Sequence, residues 1–171
     1  MKLTNYCGID VGKNGGLAVI QGGDMFLHKI PLIGKIVDLH ELHNIIRSFT
    51  VDYGPHIVCL EDVSSIPGSS AGSNFAFGEN KGQLEGLLAG MGASYQKVPP
   101  KTWQKVCWEG VPIQKKSCGK KNDTKLTSLI AAKRLFPGET FLASSRSTVP
   151  HDGLIDAALI AKYAQIKYGS R

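Results

Sequence analysis

Residues 5–30, NYCGIDVGKNGGLAVIQGGDMFLHKI, decide the fold. Three short apolar or alternating runs, 5–11, 15–21 and 24–30, are separated by glycine-rich breaks from Gly12 to Gly16 and at Gly22-Gly23. Breaks this short join antiparallel neighbours, so the stretch predicts a three-stranded antiparallel meander. A helix is expected over Lys35–Phe49, where Ile36, Leu39, Leu42, His43 and Ile46 recur at helical spacing. After Pro55, His56–Glu61 reads as a compact apolar strand. A strand that follows a helix is explained by a crossover onto a parallel neighbour, which a hairpin cannot supply. Next come a flexible loop over Ser64–Asn74, whose one core-building residue is Ile66, and a helix over Phe75–Met91. A strand over Ser94–Val98 precedes a small helix opened by Pro99-Pro100 and carrying Trp103 and Val106. A mobile, lysine-rich surface segment is expected over Ile113–Lys125, then helices over Asp123–Phe136 and His151–Tyr168. This order makes an α/β fold, a mixed sheet with helices on both faces.

The 171 residues, 42% of them apolar, suffice for one core, so residues 1–171 are expected to form a single domain. No run of 18 apolar residues exists to cross a membrane, and the first residues lack the order of a signal peptide, which points to the cytoplasm. Cys7, Cys59, Cys107 and Cys118 lie far apart without metal-ligand spacing and read as free thiols. Twenty Lys+Arg against 14 Asp+Glu give a net charge of +6, compatible with a nucleic-acid partner.

Four carboxylates stand where carboxylates are costly. Asp10 interrupts the apolar first strand, and Glu61 closes the apolar strand at 56–61. Asp152 and Asp156 are four apart, on the helix stripe that also carries Leu159, Tyr163 and Ile166, so both point toward the sheet. Each has an ordinary explanation: Asp10 as a turn former, Glu61 as a lysine partner at a sheet edge, Asp152 as a residue favoured by the helix dipole. Together they suit a cluster of negative charge neutralised by Mg²⁺. Two such ions would bind a scissile phosphate, activate water and stabilise the leaving oxygen.

Gly8-Ile9-Asp10-Val11-Gly12, Glu61, and His151-Asp152-Gly153-Leu154-Ile155-Asp156-Ala157-Ala158 resemble the motifs of RuvC-type Holliday junction resolvases. The chain looks most like the bacteriophage branch of that family, within the RNase H-like superfamily, in which case it would work in the host cytoplasm. The resemblance covers nearly the whole chain. It implies a five-stranded RNase H-like sheet (three antiparallel strands, then two parallel), a homodimer, and Mg²⁺-dependent cutting of four-way DNA junctions, with Mn²⁺ as a possible substitute. It makes Asp10, Glu61, Asp152 and Asp156 the metal ligands. Cellular members place the last two acids three apart, whereas here they are four apart with His151 just before, so Asp152 and His151 both stand as the fourth ligand.

The resemblance also singles out Lys101 and Lys125 as basic residues near the site, where a lysine could stabilise transition-state charge. Lys115, Lys116, Lys120 and Lys121 suit sequence-independent backbone contact with DNA. Phe75 and Phe77, just past the loop that probes the junction in the family, are candidates to stack on an unpaired base. The helix at 75–91 carries Gly78, Gly82, Gly86 and Gly90, opposite the side of Leu84, Leu87, Leu88 and Met91. Each interior glycine costs about 0.5–1 kcal/mol relative to alanine, so that face is expected to admit a close partner, a helix or a DNA backbone; the resemblance, which puts this helix at the family's dimer interface, implies a second copy's helix before DNA. Two other functions share these features: an RNase H-like nuclease acting on forks, flaps or RNA–DNA hybrids, and a non-catalytic junction-binding module.

Overall fold

The structure, a computed structural model, describes residues 4–50, 56–64 and 68–169. Pro55 and Ile66 lie outside them. Strands β1 (Asn5–Asp10), β2 (Gly16–Gln21) and β3 (Asp24–Lys29) form the expected meander. The next segment departs from expectation. Instead of a helix from Lys35, β4 (Leu32–Ile33) and β5 (Ile36–Val37) make a small hairpin turning at Gly34, whose φ is +63°. Helix α1 then runs over Leu39–Thr50. The boundary is set by Asp38, whose Oδ1 accepts from the amides of His40 and Glu41, both at 3.1 Å.

Strands β6 (His56–Glu61) and β7 (Tyr95–Val98) complete a five-stranded sheet in the order β3-β2-β1-β6-β7. β1 is antiparallel to β2 and parallel to β6, and β6 is parallel to β7. Helix α2 (Ala71–Gly90) lies between them and starts before Phe75, because the Ser70 side chain accepts from the Ser73 amide at 3.1 Å. The described part of the expected 64–74 loop therefore ends at Ser70. Helices α3 (Pro100–Cys107), α4 (Thr124–Leu135) and α5 (Asp152–Tyr168) follow. The lysine-rich stretch is not a loose segment. It folds back on itself through a bridge between Lys115 and Asn122 and a bond from the Lys116 amide to the Lys121 carbonyl at 2.9 Å. All four cysteines are free thiols, three of them buried. No described helix is long and apolar enough to cross a membrane.

Strand alternation divides the interior into two layers. Cys7, Ile9, Val11, Val58 and Leu60 pack with Leu42, Ile46, Leu84 and Leu88 beneath α1 and α2. Tyr6 and Cys59 face the other layer, built with α3, α4 and α5. Gly8, Asp10 and Glu61 share that second face by the same alternation. Ten residues of α5 are buried, among them the whole run Ala157–Ala161, as expected of a helix apolar all round.

The α5 backbone lies directly on β1. A Cβ at Gly8 would sit 2.2 Å from the Ala157 carbonyl oxygen and 2.3 Å from the Ala161 nitrogen. One at Gly153 would sit 2.3 Å from the Asn14 carbonyl oxygen. In both cases the obstacle is main chain, which cannot turn aside. Gly8→Ala is therefore expected to lower stability by about 3 kcal/mol or more, read as a drop in the thermal unfolding midpoint. An unchanged midpoint would mean that α5 does not rest on β1 at this distance.

Candidate active site

Asp10 and Glu61 end neighbouring parallel strands whose register pairs Ile9 with Leu60. The two carboxyls thus emerge at the same end and on the same face of the sheet, and they hydrogen-bond each other. Burial, reinforced by the Glu61 charge and then by that of Asp156, holds the Asp10 carboxyl well above the usual carboxylate range. Glu61 is also raised by burial, against hydrogen bonds from Asp10 and Trp103 that favour its charged form. Both carboxyls are thus pushed toward their protonated forms, burial being the first cause in each. Trp103 is fully buried and donates its indole N–H to Glu61 Oε1 at 3.1 Å, with its ring edge-on to Trp108.

Asp156 lies one turn into α5 and accepts from Ser128 of α4. Its Oδ1 is buried with no hydrogen-bond partner. Burial pushes this carboxyl up to about 7, with the charges of Glu61 and Asp152 adding to the effect and Ser128 and Lys125 opposing it. Asp152, at the start of α5, is half exposed and bound at 2.5 Å by Lys125 Nζ, whose own pKa this contact raises. Asp152 acts electrostatically on both Asp10 and Asp156. His151 stands before the first turn of α5, where burial, and after it the charge of Lys29, lowers its pKa.

The structure thus brings Asp10, Glu61, Asp152 and Asp156 within electrostatic reach of one another, with Lys125 at their edge. Lys101 is exposed on the first turn of α3 and is not among the charges acting on the acids. Lys115, Lys116, Lys120 and Lys121 are exposed on their hairpin and are not among the charges acting on the buried acids, with Lys115 Nζ donating to Asn122 Oδ1 at 2.6 Å. Phe75 is 75% exposed, whereas Phe77 packs partly into the core beneath α1 and α2. A Cβ at Gly78, Gly82, Gly86 or Gly90 would meet nothing within 4 Å, so that face of α2 is open.

Sequence reasoning passed over Trp103, Ser128 and Lys81. Lys81 on α2 binds Asp62 at 2.5 Å and the Val63 carbonyl at 3.2 Å, tying the helix to the chain just beyond Glu61. The signal for Trp103 was available in principle, because a buried indole needs an acceptor for its N–H. Ser128 and Lys81 carried none.

Carboxylate oxygens are the donors a hard divalent cation takes, and the orphaned Asp156 oxygen inside the protein is a group lacking its counterpart. On donor chemistry the residues fit Mg²⁺. Each acid nevertheless answers to a partner within the chain, and among the described residues no three His, Cys, Asp or Glu side chains are grouped so as to hold one metal ion.

The sequence matches no protein-family model and no curated protein. Solved structures are similar to it in fold. RuvC of T. thermophilus in complex with a Holliday junction substrate superposes with a TM-score of 0.58 at 14% identity, over 97% of this chain and 96% of that one. A second structure of Thermus thermophilus RuvC gives 0.53 at 14% identity, over 96% of each chain. The fold is thus like that of RuvC, a mixed five-stranded sheet flanked by helices.

The raised Asp156 pKa has a consequence for stability. Its folded-state value of about 7 exceeds the ordinary 3.8, so the folded protein binds the extra proton between those limits and loses stability as pH rises through them. Without metal, Asp156→Asn is expected to be more stable than the parent at pH 8, by about 2–4 kcal/mol, with the gap closing toward pH 4. Thermal unfolding of both proteins in chelator across that range checks it.

Proposed function

We propose that this chain is a metal-dependent, structure-selective endonuclease of the bacteriophage RuvC type, which resolves Holliday junctions and other branched DNA by phosphodiester hydrolysis. It would act as a homodimer and nick symmetrically related strands. The observation that carries the reading is the meeting of Asp10 and Glu61, at the ends of paired parallel strands, with Asp156, whose Oδ1 is buried without a partner. It stands on a fold like that of RuvC, one structure of which holds a Holliday junction substrate.

Asp10, Glu61 and Asp156, with Asp152 as the fourth ligand, would hold Mg²⁺, or Mn²⁺ in its place. When bound, the metal supplies Lewis-acid polarisation of the phosphodiester and a water of lowered pKa. The protein's own groups prepare for this. Asp10 and Glu61, side by side at the ends of β1 and β6, would serve as a ligand pair. Trp103 fixes Glu61 through Oε1, and Ser128 fixes Asp156, so neither carboxylate has to be ordered afterwards. Lys125, bound to Asp152, holds positive charge at the open edge where a phosphate would enter. The lysine hairpin would hold the DNA backbone, with affinity that falls steeply as salt rises.

Paired cuts need two active sites, which a twofold dimer provides. The open glycine face of α2 suits a close helix–helix approach across that axis.

Two outcomes are expected in a gel assay on four-way junctions in Mg²⁺. Trp103→Phe, which keeps the ligands but frees Glu61, should slow cleavage by about 10–100-fold, and Asp10→Asn by more than that. Forks, flaps and RNA–DNA hybrids are run alongside, and a hybrid cut faster than the junction would overturn the substrate assignment. Gly82→Arg, at a site with room for a side chain, should turn dimers into folded monomers by analytical ultracentrifugation.

A further inference from the structure

Helix α2 is gripped by less than its length suggests. Of its 20 residues only Leu84 and Leu88 are buried, so nothing before Leu84 is enclosed by the core. These leucines stand one turn apart, and a shift of α2 by one turn still leaves a leucine in a leucine's place. The glycines at every fourth position make the open face equally indifferent to such a shift. Apolar packing therefore does little to fix where α2 sits along the sheet.

Two ion pairs on one flank of the helix do more. Lys81 Nζ bonds Asp62 Oδ1 at 2.5 Å, and Lys97 Nζ lies 3.6 Å from Glu85 Oε1, whose other oxygen accepts from Tyr95 at 3.5 Å. Lys81 and Glu85 are themselves one turn apart, and their partners carry the complementary order of charge, Asp62 just past β6 and Lys97 on β7. A one-turn shift would set Lys81 against Lys97, or Glu85 against Asp62, like charge on like. Pairs as exposed as these add little to stability, and what they supply is register.

The first pair also reaches the site. Asp62 follows Glu61, so by strand alternation its side chain faces α2 while the Glu61 carboxyl faces the layer of α3, α4 and α5. The Asp62 amide donates to the Val98 carbonyl at 2.8 Å, and Lys81 Nζ donates to the Val63 carbonyl at 3.2 Å. Trp103 thus holds Glu61 from one layer, and Lys81 holds the two residues after it from the other.

We infer that Lys81 is a positioning residue: with the Glu85–Lys97 pair it locks α2 in one register along β6 and β7, and through Asp62 it fixes the direction in which Glu61 presents its carboxyl. The inference rests on the nuclease reading, in which Glu61 serves the reaction.

The first arm of the test reads Glu61 without DNA or metal. The chain has two tryptophans, so its nitrogen–proton correlation spectrum holds two indole signals, and the one lost in Trp103→Phe reports the bond to Glu61. Trp103 packs in the layer away from α2, so Lys81 reaches it by way of Glu61. That signal should move in Lys81→Met and stay in place in Lys81→Arg, which keeps the charge. In the second arm, four-way junctions are cut in Mg²⁺ at saturating protein. Lys81→Met should lower the single-turnover rate by about 10–100-fold, and Lys81→Arg by no more than about threefold. Lys81→Glu combined with Glu85→Lys reverses the order of charge and should be slower still. Junction affinity of Lys81→Met, by gel shift without metal, should stay parental, as should its thermal midpoint.

An unmoved Trp103 signal in Lys81→Met, or an unslowed rate, overturns the inference. So does weakened junction affinity, which would make Lys81 a DNA contact, and so does a midpoint lower by many degrees, which would make it structural. A reversed variant no slower than Lys81→Met overturns the register. If the parent cuts no branched DNA while the Trp103 signal still moves in Lys81→Met, the nuclease reading fails and the positioning of Glu61 stands.

Discussion

Everything at the site follows from one close approach, the α5 main chain lying against β1 at Gly8. With no side chain between them, the separation of helix and strand is set by backbone atoms. Asp156 adjoins Ala157, whose carbonyl oxygen lies over Gly8, and Asp10 is two residues further along β1 on the same face. The meeting of these acids is thus a consequence of a missing methyl group. The parallel pairing of β1 with β6 adds Glu61 at the same end of the sheet. Three distant parts of the chain are brought together by packing that involves no charge.

That assembly then acts against the charges it creates. Carboxyls enclosed with like charges nearby are driven toward their protonated forms, and the upward shifts of Asp10, Glu61 and Asp156 express this. The chain relieves part of the strain with neutral donors, Trp103 and Ser128, rather than with buried cations. A neutral donor fixes a carboxylate's position while leaving most of its charge available. Among the described residues, Lys125 at the exposed rim supplies the full positive charge that acts on Asp156.

The features readable from sequence were those with a local period or a local turn. The β1–β3 meander followed from its glycine breaks, the parallel placement of β6 from the intervening helix, and the inward Asp156 from its stripe with Leu159 and Tyr163; Asp152 and Ile166, at the two ends of that stripe, are exposed instead of facing the sheet. Where two patterns competed, the spacing misled. Ile36 fits the period of α1, yet Gly34 and the capping Asp38 put it in a hairpin. A serine cap at Ser70 likewise drew Ala71–Asn74 into α2, out of what composition marks as loop. The lysine stretch reads as solvated chain, and only its backbone pairing shows a hairpin. The partners that tune the acids lay beyond such reading. Trp103 is 42 residues from Glu61, and Ser128 and Asp156 lie on different helices, so their meeting depends on the whole fold.

Lys125 shows how local preference gives way to the site. It occupies the first turn of α4, where the helix dipole disfavours a cation, and the capping Asp123 offsets part of that cost. Its bond to Asp152 joins two groups that are at least half exposed, and such a pair adds little to stability. Neither term explains a lysine there, but position does. Asp123 ends the lysine hairpin and caps α4, so that helix begins at a fixed point with Lys125 one residue inside it. The ion pair with Asp152 then couples the hairpin's positive surface to the start of α5, which carries two of the four acids. The net charge of +6 is therefore an average over a basic outer surface and an acidic interior, and among the described residues the Lys125–Asp152 pair joins the two.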